Sequence, residues 1–289
     1  MDFLRPATWA EALALKAEHP GARPIAGGTD VMVELNFDRS RPPALLDLTA
    51  IRELATWERD GDRIRIGAGL PYARIIDELG GALPGLAIAS RTVGSPQIRN
   101  RGTVGGNLGS ASPAGDAHPP LLASDASVEV ESVRGSRVLP VVAFFLRPKV
   151  SALEPDELIR AVRVPRADGP QQFAKIGTRN AMVIAVCSFA VALRPSERRV
   201  GTGIGSAAPT PLRARDAEGF LAAELDWDGA GPLDDGVARR FGELVAAAAN
   251  PIDDVRGTAG YRRHALSVMA RRTLGWTWAE YRKGAAECA

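Results

Sequence analysis

Two cysteines and three histidines are all that this 289-residue chain offers to a soft metal. Cys187 and Cys288 stand far apart, neither in a C-x-x-C spacing, whereas an iron–sulfur cluster usually takes four thiolates. A cluster held by this chain alone is therefore excluded. His19, His118 and His264 are isolated from one another and from the cysteines, which leaves structural zinc without a ligand set; all three read as surface or core residues. Charge of one sign is equally scarce, with 36 basic residues against 34 acidic and a net charge of +2. Such a balance produces no global field toward nucleic acid or an anionic membrane, and neither partner is expected. The longest apolar run, residues 181–193, is broken by Ser188 and falls short of the roughly 20 residues of a membrane span. It reads as buried strand. Residues 1–9 carry Asp2, Arg5 and Pro6 with no apolar signal core, so a cytoplasmic location is expected.

What is present is a core-forming composition, 45 % hydrophobic, in a chain long enough for one large domain or two of ordinary size. Thr8 followed by Glu11 makes a capping box, and Ala10, Leu13, Ala14 and Ala17 then recur at helical spacing up to His19-Pro20-Gly21. Short apolar runs at residues 24–26, 31–35, 45–48 and 63–66 read as strands. Pro71 opens a second helix that stops at Gly80-Gly81. From Gly94 to Asp116, six glycines and two prolines erase regular periodicity, predicting a long ordered loop, a feature that is usually functional. Strands resume at residues 127–133, 138–142 and 157–164, and Asp168-Gly169-Pro170 marks a domain boundary. Beyond it, strand patterns at residues 171–176, 182–193 and 199–205 precede helical patterns at 216–225, 236–249 and 260–274. Strands followed by helices make this second part α+β.

Two glycine loops carry the chemistry. In Pro24-Ile25-Ala26-Gly27-Gly28-Thr29-Asp30-Val31, glycine lets the backbone approach a ligand, and successive N–H groups can cup a phosphate oxygen. A tight turn in which Gly27-Gly28 supply positive φ and Asp30 caps a helix would read the same. Arg101-Gly102-Thr103-Val104-Gly105-Gly106-Asn107 supplies a second set of backbone donors, and Ser110-Ala111-Ser112-Pro113-Ala114-Gly115-Asp116 follows at once. Hydroxyls at Thr103 and Ser112 can donate to phosphate, and the Asp116 carboxylate can accept from ribose hydroxyls. Two such loops suit a dinucleotide. No G-x-G-x-x-G opens a helix after a strand, and neither a P-loop nor a G-x-S-x-G nucleophile elbow is present.

The set Ala26-Gly27-Gly28-Thr29-Asp30, Thr103-Val104-Gly105-Gly106-Asn107 and Ala111-Ser112-Pro113-Ala114-Gly115-Asp116 closely resembles the FAD-binding medium subunits of molybdenum hydroxylases, the xanthine dehydrogenase and carbon monoxide dehydrogenase type. Phe173-Ala174-Lys175 with Arg179 and Ala181 resembles the start of that family's C-terminal domain, and length and domain order fit the whole subunit. The resemblance implies an α+β chain: a two-subdomain FAD-binding domain of the vanillyl-alcohol oxidase or PCMH type over residues 1–168, then a C-terminal domain with a small antiparallel sheet and helices over residues 171–289. By the same resemblance Pro24 to Val31 bind the FAD pyrophosphate through their backbone, and Thr103 to Asn107 do so from the opposite side. Asp116 would meet the adenosine ribose, Val93 and Ile159 would pack around the cofactor, and Lys175 would reach the flavin or its phosphates. No residue is implied to oxidise substrate or hold a metal. The implied partners are a large molybdopterin-binding subunit and a small [2Fe-2S] subunit, in a dimer of heterotrimers.

Departures from the family pattern leave points open. Many relatives place an acidic residue shortly after Arg179, where this chain runs Asn180-Ala181-Met182-Val183-Ile184, so the electron acceptor stays open among NAD, quinone and others. The cysteine-bearing insertion of hydroxybenzoyl-CoA reductases is missing. A stand-alone FAD-dependent oxidoreductase of the vanillyl-alcohol oxidase type is the alternative, with His118 the nearest candidate for a covalent flavin link; a noncatalytic nucleotide-binding subunit is a third. Arg99 and Arg101 read as solvating a turn, Trp227, Trp276 and Trp278 as packing, and Arg262-Arg263 to Arg271-Arg272 as a solvated helix face.

Overall fold

The helix cap expected at Thr8 forms, with its reciprocal bond one residue earlier than a capping box places it. The Thr8 hydroxyl accepts from the Glu11 N–H at 3.2 Å, and the Glu11 carboxylate accepts from the Ala7 N–H at 2.7 Å. The computed structural model describes residues 1–288, with side chains through residue 285; Ala289 and the Cys288 side chain lie outside the described residues. The chain begins with β1 (Asp2–Leu4), α1 (Trp9–Glu18), β2 (Arg23–Ile25), α2 (Val31–Asn36) and β3 (Ala44–Asp47). Its three strands form a small parallel sheet in the order β1-β3-β2, covered by Trp9, Ala12 and Leu13 of α1. Residues 31–35, expected as a strand, are helical: Met32 donates to the Gly28 carbonyl and Glu34 to that of Asp30. Nothing in α2 is buried, so no sheet neighbour is there to reward its β-branched residues.

A second layer follows with β4 (Trp57–Asp60), β5 (Arg63–Gly67), α3 (Tyr72–Glu78), α4 (Pro84–Arg91), α5 (Pro96–Arg99), α6 (Val104–Ser110) and α7 (His118–Ala123). Then come β6 (Ser127–Ser132), β7 (Gly135–Pro140), α8 (Val141–Phe144), β8 (Phe145–Arg147), β9 (Val150–Ser151) and β10 (Leu158–Pro165). Five strands pair antiparallel as β4-β5-β10-β6-β7, and Ile66, Val128, Val130 and Val162 face Leu70, Leu108 and Leu121 in one core. The segment expected as a single loop from Gly94 to Asp116 holds two short helices. Ser95 caps the first and Thr103 the second, whose Oγ1 accepts from the Gly106 N–H at 2.9 Å. Glycine and serine on α6 give no apolar stripe, which is why periodicity missed it.

The third unit is β11 (Gln171–Ile176), β12 (Cys187–Arg194), β13 (Arg199–Gly205), α9 (Arg215–Glu224), α10 (Asp235–Ala248) and α11 (Ala259–Cys288). The strands form one antiparallel sheet, and Phe241, Leu266 and Leu274 of the helices pack on Phe189, Val191 and Leu193. The strand expected from residue 182 starts only at Cys187; residues 182–186 precede it outside any strand, with Met182 and Ile184 more than half exposed. Trp227 and Trp278 stack edge-on at 6.1 Å beside Tyr281, as packing residues, while Trp276 faces solvent. No helix among the described residues is long and apolar enough to cross a membrane.

The third unit is fastened to the second by close backbone contact. A Cβ on Gly201 would lie 1.9 Å from the Ala123 carbonyl oxygen, and one on Gly203 2.0 Å from that of Pro119. Helix α7 therefore rests directly on β13. At its end Asp125 pairs with Arg194 at 2.5 Å and with Arg213, which also forks onto Glu218 at 2.7 and 2.9 Å. Replacing Gly203 with alanine should push α7 off the sheet and lower stability by about 1–3 kcal/mol, read as a fall in melting temperature, whereas alanine at exposed Gly61 leaves space for its methyl though not for its φ of +62°.

Candidate cofactor-binding site

The two glycine loops meet. A Cβ on Gly27 would stand 2.0 Å from the Arg101 carbonyl oxygen, and one on Gly102 would meet Thr29 Oγ1 at 3.5 Å. Gly27 thus serves the contact between loops, and positive φ belongs to Gly28 alone, at +75°. Gly105 likewise is required by Ala68, whose Cβ would be 2.5 Å away. Backbone at the start of α3 ties the second loop down, since the Tyr72 N–H donates to the Gly102 carbonyl at 3.0 Å and Pro71 bridges Thr103.

These loops floor a cleft of ≈ 800 Å³ between the small parallel sheet and the five-stranded layer, within the range of small-molecule and cofactor sites. The N–H groups of residues 27–31 find no acceptor among the described residues, nor do those of Val104 and Gly105. Free N–H groups at the starts of α2 and α6 carry partial positive charge that suits a phosphate. Asp30 begins α2 without making a side-chain cap.

Of the residues singled out by sequence, Pro24, Ala26, Gly27, Gly28, Thr29, Asp30, Val31, Val93, Thr103, Gly105, Gly106, Asn107, Asp116 and Ile159 line this cleft. Ile25, Val104, Ser112 and Lys175 do not. Ile25 ends β2 beside Asp47, and Val104 is buried in the core. Ser112 Oγ accepts from the Ala114 N–H at 3.3 Å and so shapes the turn before Asp116. Lys175 stands behind Asp116: its Nζ lies 2.6 Å from Asp116 Oδ2 and 3.0 Å from the Thr92 carbonyl, and both charged side chains are buried. Burial pushes the Asp116 carboxyl above its ordinary value, and the Lys175 ammonium works against that rise. Around Lys175 a second hollow of ≈ 410 Å³ carries Arg91, Arg99 and Arg179 and joins the cleft at Gly94, Met182 and Val183.

Sequence reasoning missed Lys16, Tyr72 and Lys149, which also line the cleft, as do residues 182–184 of the Asn180 to Ile184 run that departs from the family pattern after Arg179. Lys16 sat in a helical pattern and Tyr72 after Pro71, with no motif to flag either. Lys16 holds the carbonyls of Pro20 and Ala22 at 2.8 and 2.7 Å, and burial, aided by Arg23, lowers its ammonium from the usual lysine value. His118 does not reach the cleft. Its ring lies under Gly115, where a Cβ would be 2.3 Å from Cε1. Nε2 is 3.2 Å from the Asn107 carbonyl, and the ring sits 4.6 Å from that of Phe145. It props the second loop, and the covalent flavin link loses its one candidate.

FAD fits this architecture. Three buried polar atoms on cleft-lining residues have no partner among the described residues: Tyr72 OH, Asn107 Oδ1 and Asp116 Oδ1. A ligand bearing hydroxyls and phosphates supplies partners for such atoms and for the unpaired N–H groups.

Residues 1–167 match the family model described as the FAD binding domain in molybdopterin dehydrogenase, and residues 172–277 match the CO dehydrogenase flavoprotein C-terminal domain. The chain belongs to this FAD-binding family of molybdopterin dehydrogenases. It is 31 % identical over 289 aligned positions to the xanthine dehydrogenase FAD-binding subunit of Escherichia coli O157:H7, covering 94 % of each chain. Identity to the nicotine 6-hydroxylase medium subunit of Paenarthrobacter nicotinovorans is 30 %, covering 94 % of this chain and 95 % of that one. Among solved structures, a chain of carbon monoxide dehydrogenase from Hydrogenophaga pseudoflava matches with a TM-score of 0.90 at 28 % identity, over 97 % of this chain and 98 % of that one.

Burial lowers the His118 imidazole to about 4, so the folded protein binds fewer protons than the unfolded chain between pH 4 and about 6.5. Its stability contribution is complete above pH 6.5 and is lost as pH falls toward 4, at most about 3 kcal/mol. Chemical denaturation across that window should show the loss, and His118→Gln should flatten it.

Proposed function

We propose that this chain is the FAD-carrying, electron-transferring subunit of a molybdenum-containing hydroxylase, working beside a large molybdopterin-binding subunit and a small [2Fe-2S] subunit. The observation that carries this reading is the pair of glycine loops in mutual contact beneath a cleft whose N–H groups and buried polar atoms lack partners. The names of its relatives, FAD-binding and medium subunits of hydroxylases and dehydrogenases, support the same division of labour. Bound FAD supplies a carrier that takes electrons singly and passes on a pair.

In this reading residues 1–168 form the FAD-binding domain and residues 171–289 the C-terminal domain. Backbone donors of residues 27–31 and of Val104 and Gly105 hold the pyrophosphate, with Pro24, Ala26, Gly106 and Asn107 shaping its bed. Asp116 accepts from the adenosine ribose, and Val93 and Ile159 pack against the cofactor. Lys175, bound to Asp116 at 2.6 Å, keeps that carboxylate charged and acts through it. Substrate is oxidised in the large subunit, electrons arrive through the small subunit's clusters, and an external acceptor removes them. The assembly is a dimer of heterotrimers in the cytoplasm.

Purified alone and supplied with FAD, the chain should show flavin absorption and support FAD-dependent NADH or dye reduction, without hydroxylating any substrate. Iron–sulfur absorption should arise only when the small subunit is added. Hydroxylase activity of the isolated chain, or no flavin uptake with or without partners, would overturn the proposal.

A further inference from the structure

Tyr72 is the most deeply buried polar group of the cleft. It opens α3, its N–H fixes the second glycine loop through the Gly102 carbonyl at 3.0 Å, and its ring lies against Gly102, where a Cβ would be 3.4 Å from Cδ2. The residue is 2 % exposed, and its hydroxyl is sealed from solvent without a hydrogen-bond partner. Leaving a buried hydroxyl unpaired is costly, and such groups in folded proteins nearly always have a partner. Neither the loop motifs nor the capping pattern accounts for a hydroxyl here, since phenylalanine would fill the same space.

The neighbours indicate what the missing partner is. Asn107 Oδ1 and Asp116 Oδ1 are also buried, unpaired and on the same cleft. A carboxylate oxygen accepts only, an amide oxygen accepts only, and a phenol both donates and accepts. A bare phosphate offers acceptors alone and would leave two of the three unsatisfied. A vicinal diol offers donors and acceptors together. Asp116 and Asp30 stand near enough, with burial the larger cause, to push the Tyr72 hydroxyl well above its usual value, so it stays protonated as a donor throughout the physiological range.

Resting on the FAD reading above, we propose that Tyr72 is a further cofactor-binding residue, whose hydroxyl donates to a sugar hydroxyl of FAD on the adenosine side, beside Asp116. The interaction makes the phenol a specificity element for the ribose and not for the phosphates. It also gives the hydroxyl opposite effects in the two states of the protein. Without cofactor it is an unpaired buried group; with cofactor it is a ligand.

The test is Tyr72→Phe in the full chain, measured by FAD titration calorimetry and by melting of the cofactor-free protein. The expected result is a weakening of FAD affinity by roughly tenfold, with cofactor-free melting unchanged or raised. ADP should lose affinity in parallel, and FMN should not. Unchanged FAD affinity in the variant overturns the proposal, and an equal loss for FMN with none for ADP overturns its placement on the adenosine side. If the wild-type chain binds no FAD at all, it is the functional reading that fails. Should Tyr72→Phe not fold, wild-type protein labelled with 3-fluorotyrosine gives the same answer. The chain has three tyrosines, so the resonance that survives both Tyr261→Phe and Tyr281→Phe is that of Tyr72. FAD should shift it, and no shift in protein that takes up FAD overturns the proposal.

Discussion

The backbone of Gly27 lies so close to the Arg101 carbonyl that any side chain there would occupy the same space as the oxygen. This contact decides where the two loops stand, and the rest of the site is arranged around it. On one side β2, paired with β3, delivers residues 26–30 to the contact. On the other, α3 and the Thr103 cap of α6 hold the opposing loop from behind. Both loops then present free N–H groups to one cleft, although they come from parts of the chain with separate cores.

A second backbone contact couples the C-terminal unit to the same site. Helix α7 lies on the glycines of β13, and the turn before α7 ends in Asp116, which Lys175 of β11 grips. The C-terminal unit therefore meets the site twice: through the Lys175 ammonium behind Asp116, and through residues 182–184, which line the cleft. The arginine cluster on Asp125 keeps α7 in register with the C-terminal sheet.

Much of this was legible in the letters because it depends on local rules. The helix cap at Thr8, the alternation at residues 63–66 and the order of strands and helices after Gly169 follow from short-range preference. The glycine loops were legible as loops. Their division of labour was not: a glycine that lets a ligand approach and one that lets another backbone approach are the same letter, and only the fold shows that Gly27 and Gly105 are of the second kind. Residues 31–35 misled for a related reason, since β-branched residues favour a strand only where a neighbouring strand is available. Tyr72 escaped notice because one tyrosine after a proline has no periodicity to interpret, and its significance lies in a hydroxyl left without a partner.

The most direct measurement is hydrogen–deuterium exchange of backbone amides with and without FAD. If the paired glycine loops hold the cofactor, exchange at residues 27–31 and at Val104 and Gly105 slows together on FAD addition, while the C-terminal helices α9 to α11 are unaffected. Protection confined to one loop, or appearing in the C-terminal helices with the loops unchanged, would contradict the shared site.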